Sequence, residues 1–384
     1  HAFCSRGGRS GFFFTPACFI TSEGFLNRLM ACRAAEADGS FYRLPASVPP
    51  DSEQLSLLLR HPDQPDNSKV LKVAIIGAPN AGKSTLSNQL LGRKVFAVSK
   101  KVHTTRSRAL GVLTENDTQI ILLDTPGLTT PSKVKHQLEK SMLVDPWNTV
   151  KEADLVVMVD VADRWTCNRL DFEVLKCLAQ HPNIPAILVL NKVDLVKAKD
   201  KLLDLTAELT CGIVNGQKMR VRLMVKPRWA KKRPERDSEL SPDEDNARHE
   251  GSAEPSSVLS KEQLKALRSQ QGWPSFKDVF MFSSTDREDV DTLKSYLMVA
   301  AKPGPWQYHS EVLTDQSPEE VCTSIIREKL LEHLPQEVPY SLTQRMVIGT
   351  AGQLVARIAH EVSKDLSQVY LREVRLKLSV KLRK

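Results

Sequence analysis

Gly77-Ala78-Pro79-Asn80-Ala81-Gly82-Lys83-Ser84 stands directly behind the apolar run Val70-Leu71-Lys72-Val73-Ala74-Ile75-Ile76. The run has the length and composition of a buried strand, and it stops at a glycine. The octapeptide fits G-x-x-x-x-G-K-[ST] and leads into Ser84–Leu91, whose apolar spacing predicts a helix. A glycine-rich turn between strand and helix lets backbone N–H groups curl around phosphate oxygens, and the helix N-terminus adds a favourable field. In such a loop Lys83 would face the outer phosphates, and the Ser84 hydroxyl would reach a magnesium ion. Gly77, Ala78, Pro79, Asn80, Ala81, Gly82, Lys83, Ser84 and Thr85 are the first candidate nucleotide-binding residues.

Further strand-length runs follow at Thr118–Asp124, Leu155–Asp160, Ala186–Asn191 and Val279–Ser283, with helical spacing between them, as in Leu170–Ala179. Strands alternating with helices predict an α/β fold: a mostly parallel sheet with helices on both faces. Three of these strands end in residues that complete a nucleotide site. Asp124-Thr125-Pro126-Gly127 offers a carboxylate that reaches magnesium through water and, at Gly127, an N–H for the terminal phosphate. Asn191-Lys192-Val193-Asp194 offers Asp194 to the N1–H and N2–H₂ hydrogens of guanine, which adenine does not present. Asn191 would brace that loop, the Lys192 stem would lie against the base, and a backbone N–H of Ser283-Ser284 would meet guanine O6. Between the first loop and Asp124 lies His103-Thr104-Thr105-Arg106, where a threonine hydroxyl should complete the magnesium shell and sense the γ-phosphate. Thr105 is preferred, with Thr104 the alternative. Together these features predict a P-loop domain that binds GTP and GDP and hydrolyses GTP with Mg2+.

The linked motifs GAPNAGKS (77–84), SKKVHTTRSRALGV (99–112), DTPGL (124–128) and NKVD (191–194) resemble those of the Era-type GTPases. Members of that group are ribosome-assembly factors in which a smaller α+β KH domain, which binds RNA, follows the GTPase domain. Ser324–Leu331 followed by Glu337-Val338-Pro339-Tyr340-Ser341 is similar to the opening of that region. Ile348-Gly349-Thr350-Ala351-Gly352 fits the IGxxG loop, and Val374–Leu382 looks like the closing strand. The likeness covers 69–210 and 273–384. It implies small-subunit ribosomal RNA as partner, bound through Ile348, Gly349, Thr350, Ala351 and Gly352. It also implies a hydrophobic residue, Leu128, where other GTPases carry a catalytic glutamine. Water activation would then fall to other groups, so the expected catalytic set is Lys83, Thr105, Gly127 and Asn80. Asn80 occupies the place of a P-loop asparagine that binds K+ in relatives; the alternative is a loop-capping side chain. Only the six residues Leu342–Val347 separate Ser341 from Ile348, where similar proteins place most of two strands. The KH-like domain is therefore expected to be truncated, which would expose a sheet edge.

Bulk properties agree with this division. The chain has 384 residues and a formal charge of +8, which leans towards an anionic partner such as RNA, DNA or a membrane surface. Seven cysteines show no CxxC or other metal-ligand spacing. No apolar run reaches membrane-spanning length. Residues 1–50 hold Arg6, Arg9, Arg28, Arg33 and Arg43 against Glu23, Glu36 and Asp38, the balance of a mitochondrial transit peptide. With that leader, the chain looks most like the mitochondrial branch of the group, in the matrix or peripheral to the inner membrane. Residues 218–236 carry nine Lys or Arg, and 237–254 carry seven Asp or Glu. Such blocks bury little apolar surface and predict a disordered insertion over 214–272. The expected organisation is leader 1–50, linker 51–68, GTPase domain 69–302, linker 303–317 and KH-like domain 318–384. Two readings of the whole remain open: a GTP-switched RNA chaperone of the mitochondrial small ribosomal subunit, or a GTPase whose partner is a protein.

Overall fold

A computed structural model describes residues 47–49, 51–98, 109–125, 147–161, 169–197, 199–219, 260–334 and 352–380. Its centre is a sheet in the order β2-β3-β1-β4-β5-β8. These strands are β1 (Lys69–Gly77), β2 (Ala109–Glu115), β3 (Thr118–Asp124), β4 (Leu155–Val161), β5 (Ala186–Asn191) and β8 (Phe276–Met281). Every pairing from β3 to β8 is parallel, whereas edge strand β2 runs antiparallel to β3. Short β9 (Lys302–Pro303) adds an antiparallel pairing to the start of β1.

Helices cover both faces, and the alternation within β1 shows why. Val73 and Ile75 join one apolar cluster with Leu86 and Leu90 of α2 (Lys83–Leu91) and Leu293 and Leu297 of α6 (Arg287–Ala300). Ala74 and Ile76 join the opposite cluster with Val174 and Leu178 of α3 (Phe172–Gln180) and Leu205 and Leu209 of α4 (Asp200–Leu209). A strand buried on both faces reads as a continuous apolar run, because alternate side chains meet different helix layers. The chain steps from β1 to β3 on one side and to β4 on the other, which opens a crevice at the carboxyl ends of the strands.

The second region holds α7 (Pro318–His333) and α8 (Gln353–Tyr370). Serine and glutamate close a capping box at the start of α7, with Pro318 in the first turn. Val321 and Ile325 of α7 pack with Ile358, Val362 and Leu366 of α8 in the same cluster as the β1 face.

Several expectations need correction. The stretch 51–68, read as linker, contains helix α1 (Asp51–Leu58). Gln54 of α1 is buried and donates to the Thr314 and Gln316 carbonyls at 2.7 and 3.2 Å. Val48 is 1% exposed in the core, so the folded chain starts before the leader boundary placed at 50. The linker 303–317 is also packed: Trp306 is buried, and Gln119 of β3 bonds the backbone of Gln307 and Tyr308. The insertion read over 214–272 is ordered at both ends, with the hairpin β6 (Ile213–Val214) and β7 (Gln217–Lys218), then α5 (Lys261–Ser269). Its central residues, 220–259, lie outside the described ones. Of the closing strand expected over Val374–Leu382, the described part shows one β-bridge position, Ser379, and Lys381 and Leu382 lie outside the described residues. There the Val374 and Leu376 amides donate to the Ser367 and Ser363 hydroxyls of α8, which ties the segment to the helix.

Candidate nucleotide site

The loop between β1 and α2 is shaped by close approaches at two glycines. Gly77 has φ +147°, and a Cβ there would lie 2.1 Å from the Val159 carbonyl oxygen of β4. Gly82 has φ +98°, and a Cβ there would lie 2.2 Å from Asn191 Nδ2. Any side chain would collide at both places, so the strand order and the glycine spacing belong together. Asn80 takes a left-handed φ of 61°, which asparagine tolerates better than most residues. Helix α2 then begins at Lys83 and points its N-terminus into the loop.

Asn191 joins the neighbouring strand tips. Its Nδ2 donates to the Ala81 carbonyl at 2.8 Å. Its Oδ1 accepts from the backbone N–H groups of Lys192 and Ser284 and from the Ser284 hydroxyl, each at 2.8 Å. Lys192 Nζ donates to the Asn80 carbonyl at 2.7 Å. The loops after β1, β5 and β8 thus form one hydrogen-bonded rim. Asp194 lies on that rim, exposed in the 3₁₀ turn Val193–Leu195.

Charge is concentrated beneath the loop. Lys83 is 6% exposed and donates to the Ala78 and Gly77 carbonyls at 2.9 and 3.3 Å. Burial pushes its ammonium down to about 8, with Asp124 opposing that shift. Asp124, at the end of β3, accepts from the Ser84 hydroxyl through Oδ2 at 2.6 Å. Burial pushes its carboxyl up to about 6, against the Ser84 hydrogen bond and Lys83. Its Oδ1 is buried with no hydrogen-bond partner among the described residues. An incompletely satisfied hard oxygen beside a serine hydroxyl suits a divalent cation such as magnesium. No cluster of three or more His, Cys, Asp or Glu occurs among the described residues.

Two candidates differ from expectation. Thr125 is fully buried and donates its hydroxyl to the Ile75 carbonyl at 2.7 Å, so it fixes the end of β3 against β1. The Ser284 N–H, considered for guanine O6, already bonds Asn191, because the β8 tip folds back onto that side chain. Thr104, Thr105, Pro126, Gly127, Leu128 and Ile348, Gly349, Thr350 and Ala351 lie outside the described residues. Gly352 is the N-cap of α8, with φ 78°. The basic side chains Arg357 and Lys364 are exposed on α8, and Arg375 and Lys377 are exposed beyond it.

Sequence reasoning missed Asn88, Lys94 and Glu328. Asn88 holds the loop after α2 by bonding Val95 and Phe96, and Lys94 and Glu328 meet across the two regions at 2.6 Å. A signal for Glu328 existed: it falls at i+7 and i+3 from the core residues Val321 and Ile325, where an apolar residue is expected.

Comparison with known proteins agrees with this geometry. The family model described as 50S ribosome-binding GTPase matches residues 72–192. The chain is 66% identical to the mitochondrial GTPase Era of Salmo salar, covering 97% of this chain and 89% of that protein. It is 57% identical to the mitochondrial GTPase Era of Danio rerio over the same shares. The salmon alignment runs over 410 residues, so that relative carries residues without a counterpart among the 384 here. A crystal structure of Era in complex with MgGDPNP and nucleotides 1506–1542 of 16S ribosomal RNA superposes with a TM-score of 0.56 at 24% identity. It covers 79% of this chain and 90% of that one, a likeness of fold.

Proposed function

The chain belongs to the Era-type GTPases, which bind and hydrolyse GTP, and on that premise we propose that it is a GTP-switched RNA chaperone of the mitochondrial small ribosomal subunit. The observation that carries this reading is the rim tied by Asn191, which brings the phosphate loop and the guanine loop into one frame.

In this reading Gly77 to Thr85 wrap the phosphates, and Lys83 gives its ammonium to the β- and γ-phosphate oxygens. Asp194 accepts from the guanine edge, the Lys192 stem covers the base, and Ser283-Ser284 close that side of the pocket. Ser84, Asp124 and Thr105 would hold magnesium, which when bound draws negative charge from the phosphate oxygens. Thr105 and the Gly127 N–H sense the γ-phosphate, so their segments order with GTP and relax after hydrolysis. Asn80 is proposed to hold potassium near the phosphates. GTP turnover at equal ionic strength should then be several-fold faster in potassium than in sodium buffer; equal rates would remove that role.

The second region is proposed to bind small-subunit ribosomal RNA through Ile348–Gly352 at the start of α8 and the basic residues beyond. A KH loop grips nucleic acid largely through backbone geometry. The names of the salmon and zebrafish relatives support a mitochondrial location, and the Arg-rich leader is consistent with it. No helix among the described residues is long and apolar enough to cross a membrane. The competing reading, a switch acting on a protein, draws on the short spacing between Ser341 and Ile348, six residues where similar proteins place most of two strands. Filter binding of a fragment of the mitochondrial small-subunit rRNA decides between them. RNA retention that differs between the GTP-analogue and GDP forms is expected, and retention at background in both would leave the protein-partner reading.

A further inference from the structure

Glu328 lies on the core face of α7 and is 2% exposed. One carboxylate oxygen accepts from Lys94 Nζ at 2.6 Å, and the other accepts from the backbone N–H of Val98 at 2.8 Å. Lys94 also meets Asp365 of α8 at 2.5 Å, and Lys329 bridges Asp365 and Glu328 at 3.5 Å each. Both helices of the second region therefore converge on one loop of the GTPase domain, residues 92–98. From the other side Asn88 holds the same loop: its Oδ1 accepts from Val95 and Phe96, and its Nδ2 donates to the Phe96 carbonyl, all at 2.8 Å.

Val98 is the residue from which the chain enters 99–108, the stretch that holds Thr104 and Thr105. A buried acid among apolar neighbours is a net cost unless its partners need it. Here the need is specific. The Val98 N–H takes its acceptor from the second region, and Lys94 balances the charge. Asp365 lies 13 residues along α8 from Gly352, about 20 Å at the helical rise. A tilt of α8 caused by a ligand at its N-terminus would therefore reach Lys94 through a rigid rod.

We propose that Glu328 is a positioning residue for GTP hydrolysis: through its bond to Val98, the helices of the second region set the path on which the γ-phosphate-sensing stretch departs. The inference rests on the sensing role proposed above for Thr105.

The test uses the full chain and two measurements, GTP turnover and affinity for a fluorescent GDP analogue. Glu328→Ala should lower kcat about tenfold while GDP-analogue affinity stays within about twofold, because neither the P-loop nor the guanine rim is touched. Glu328→Gln keeps an oxygen for the Val98 N–H and should restore most of the rate. Lys94→Met should fall between the two. Should the alanine variant fail to fold, glutamine and Lys94→Met decide, with an intact rate in Lys94→Met counting against the proposal. It is overturned if Glu328→Ala turns over GTP at the unaltered rate, if kcat and GDP affinity fall in the same proportion, or if glutamine rescues nothing. Thr105→Ala separates the two layers. Unchanged turnover there removes the sensing role and this route with it. A slowed Thr105→Ala beside an unaffected Glu328→Ala removes Glu328 alone.

Discussion

Asp124 and Lys83 stand under the phosphate loop with pKa values displaced towards each other, the carboxyl up to about 6 and the ammonium down to about 8. Burial is the main cause in both, so at neutral pH each charge is held at a cost to the fold. For Asp124 the folded pKa lies above the unfolded one. Its contribution to stability is complete below about pH 4 and is lost as pH rises through about 6. Lys83 runs the other way: its contribution is present above its ordinary value of 10.5 and is lost as pH falls through about 8. The Asp124 displacement corresponds to about 3 kcal/mol at most. Asp124→Asn keeps an acceptor for the Ser84 hydroxyl but removes the Lys83 counter-charge. The nucleotide-free variant should gain about 1–2 kcal/mol at pH 7.5, with the gain shrinking towards pH 4. Denaturant midpoints at the two pH values check this. A variant less stable than the parent at pH 7.5 would show that the carboxylate supports the fold. Magnesium-dependent GTP binding should be lost in either case.

At the scale of elements, α1 and the residues that follow it to Asp63 act as a strap. Gln54 bonds two carbonyls of the 303–317 segment, and Asp63 bonds the Ser310 N–H and hydroxyl at 2.7 and 2.6 Å. Gln54→Leu removes a buried donor and leaves the Thr314 carbonyl unserved, which should cost about 1–3 kcal/mol. Ser56→Ala, on the exposed side of α1, should change stability by less than about 0.5 kcal/mol. Equal effects from the two would mean that α1 contributes only bulk. The strap was illegible in the sequence for a physical reason: among the described side chains of α1 only Gln54 and Leu57 are buried, too few positions to set a helical period. Strands β1, β3, β4 and β5 were legible because each holds a buried, unbroken apolar run: Val73–Ile76, Ile120–Leu123, Leu155–Val159 and Ala186–Leu190. Edge strand β2 was not, since Ala109–Glu115 contains Gly111 and ends in exposed Glu115. The nucleotide-site motifs were readable one by one, each being local in sequence. Their joining through Asn191 depends on three loops meeting in space, and Thr125 turned towards β1 for the same reason.

For the molecule as a whole, charge and coupling have to be read together. The net charge of +8 is unevenly spread, and Arg357 and Lys364, seven residues apart, share an exposed face of α8. Gly352 caps the N-terminus of the same helix, and Arg357 follows it by five residues, about 7.5 Å along the axis. If both side chains face phosphate, RNA binding releases counterions, and the logarithm of affinity falls steeply with the logarithm of salt concentration. Replacing both with Gln should then weaken binding of the rRNA fragment and lessen the salt slope by about 1.5, at roughly 0.7 to 0.9 per phosphate contact. An unchanged slope would make them a solvated helix face and move the RNA surface elsewhere. The same helix carries Asp365 to Lys94 on its inner side, with Lys364 beside it facing out. The Gln variant should therefore lose RNA affinity while its RNA-free GTP turnover stays within about twofold of the parent. A fall in RNA-free turnover would mean that the outer face of α8 also bears on the loop at 92–98, which its exposure argues against.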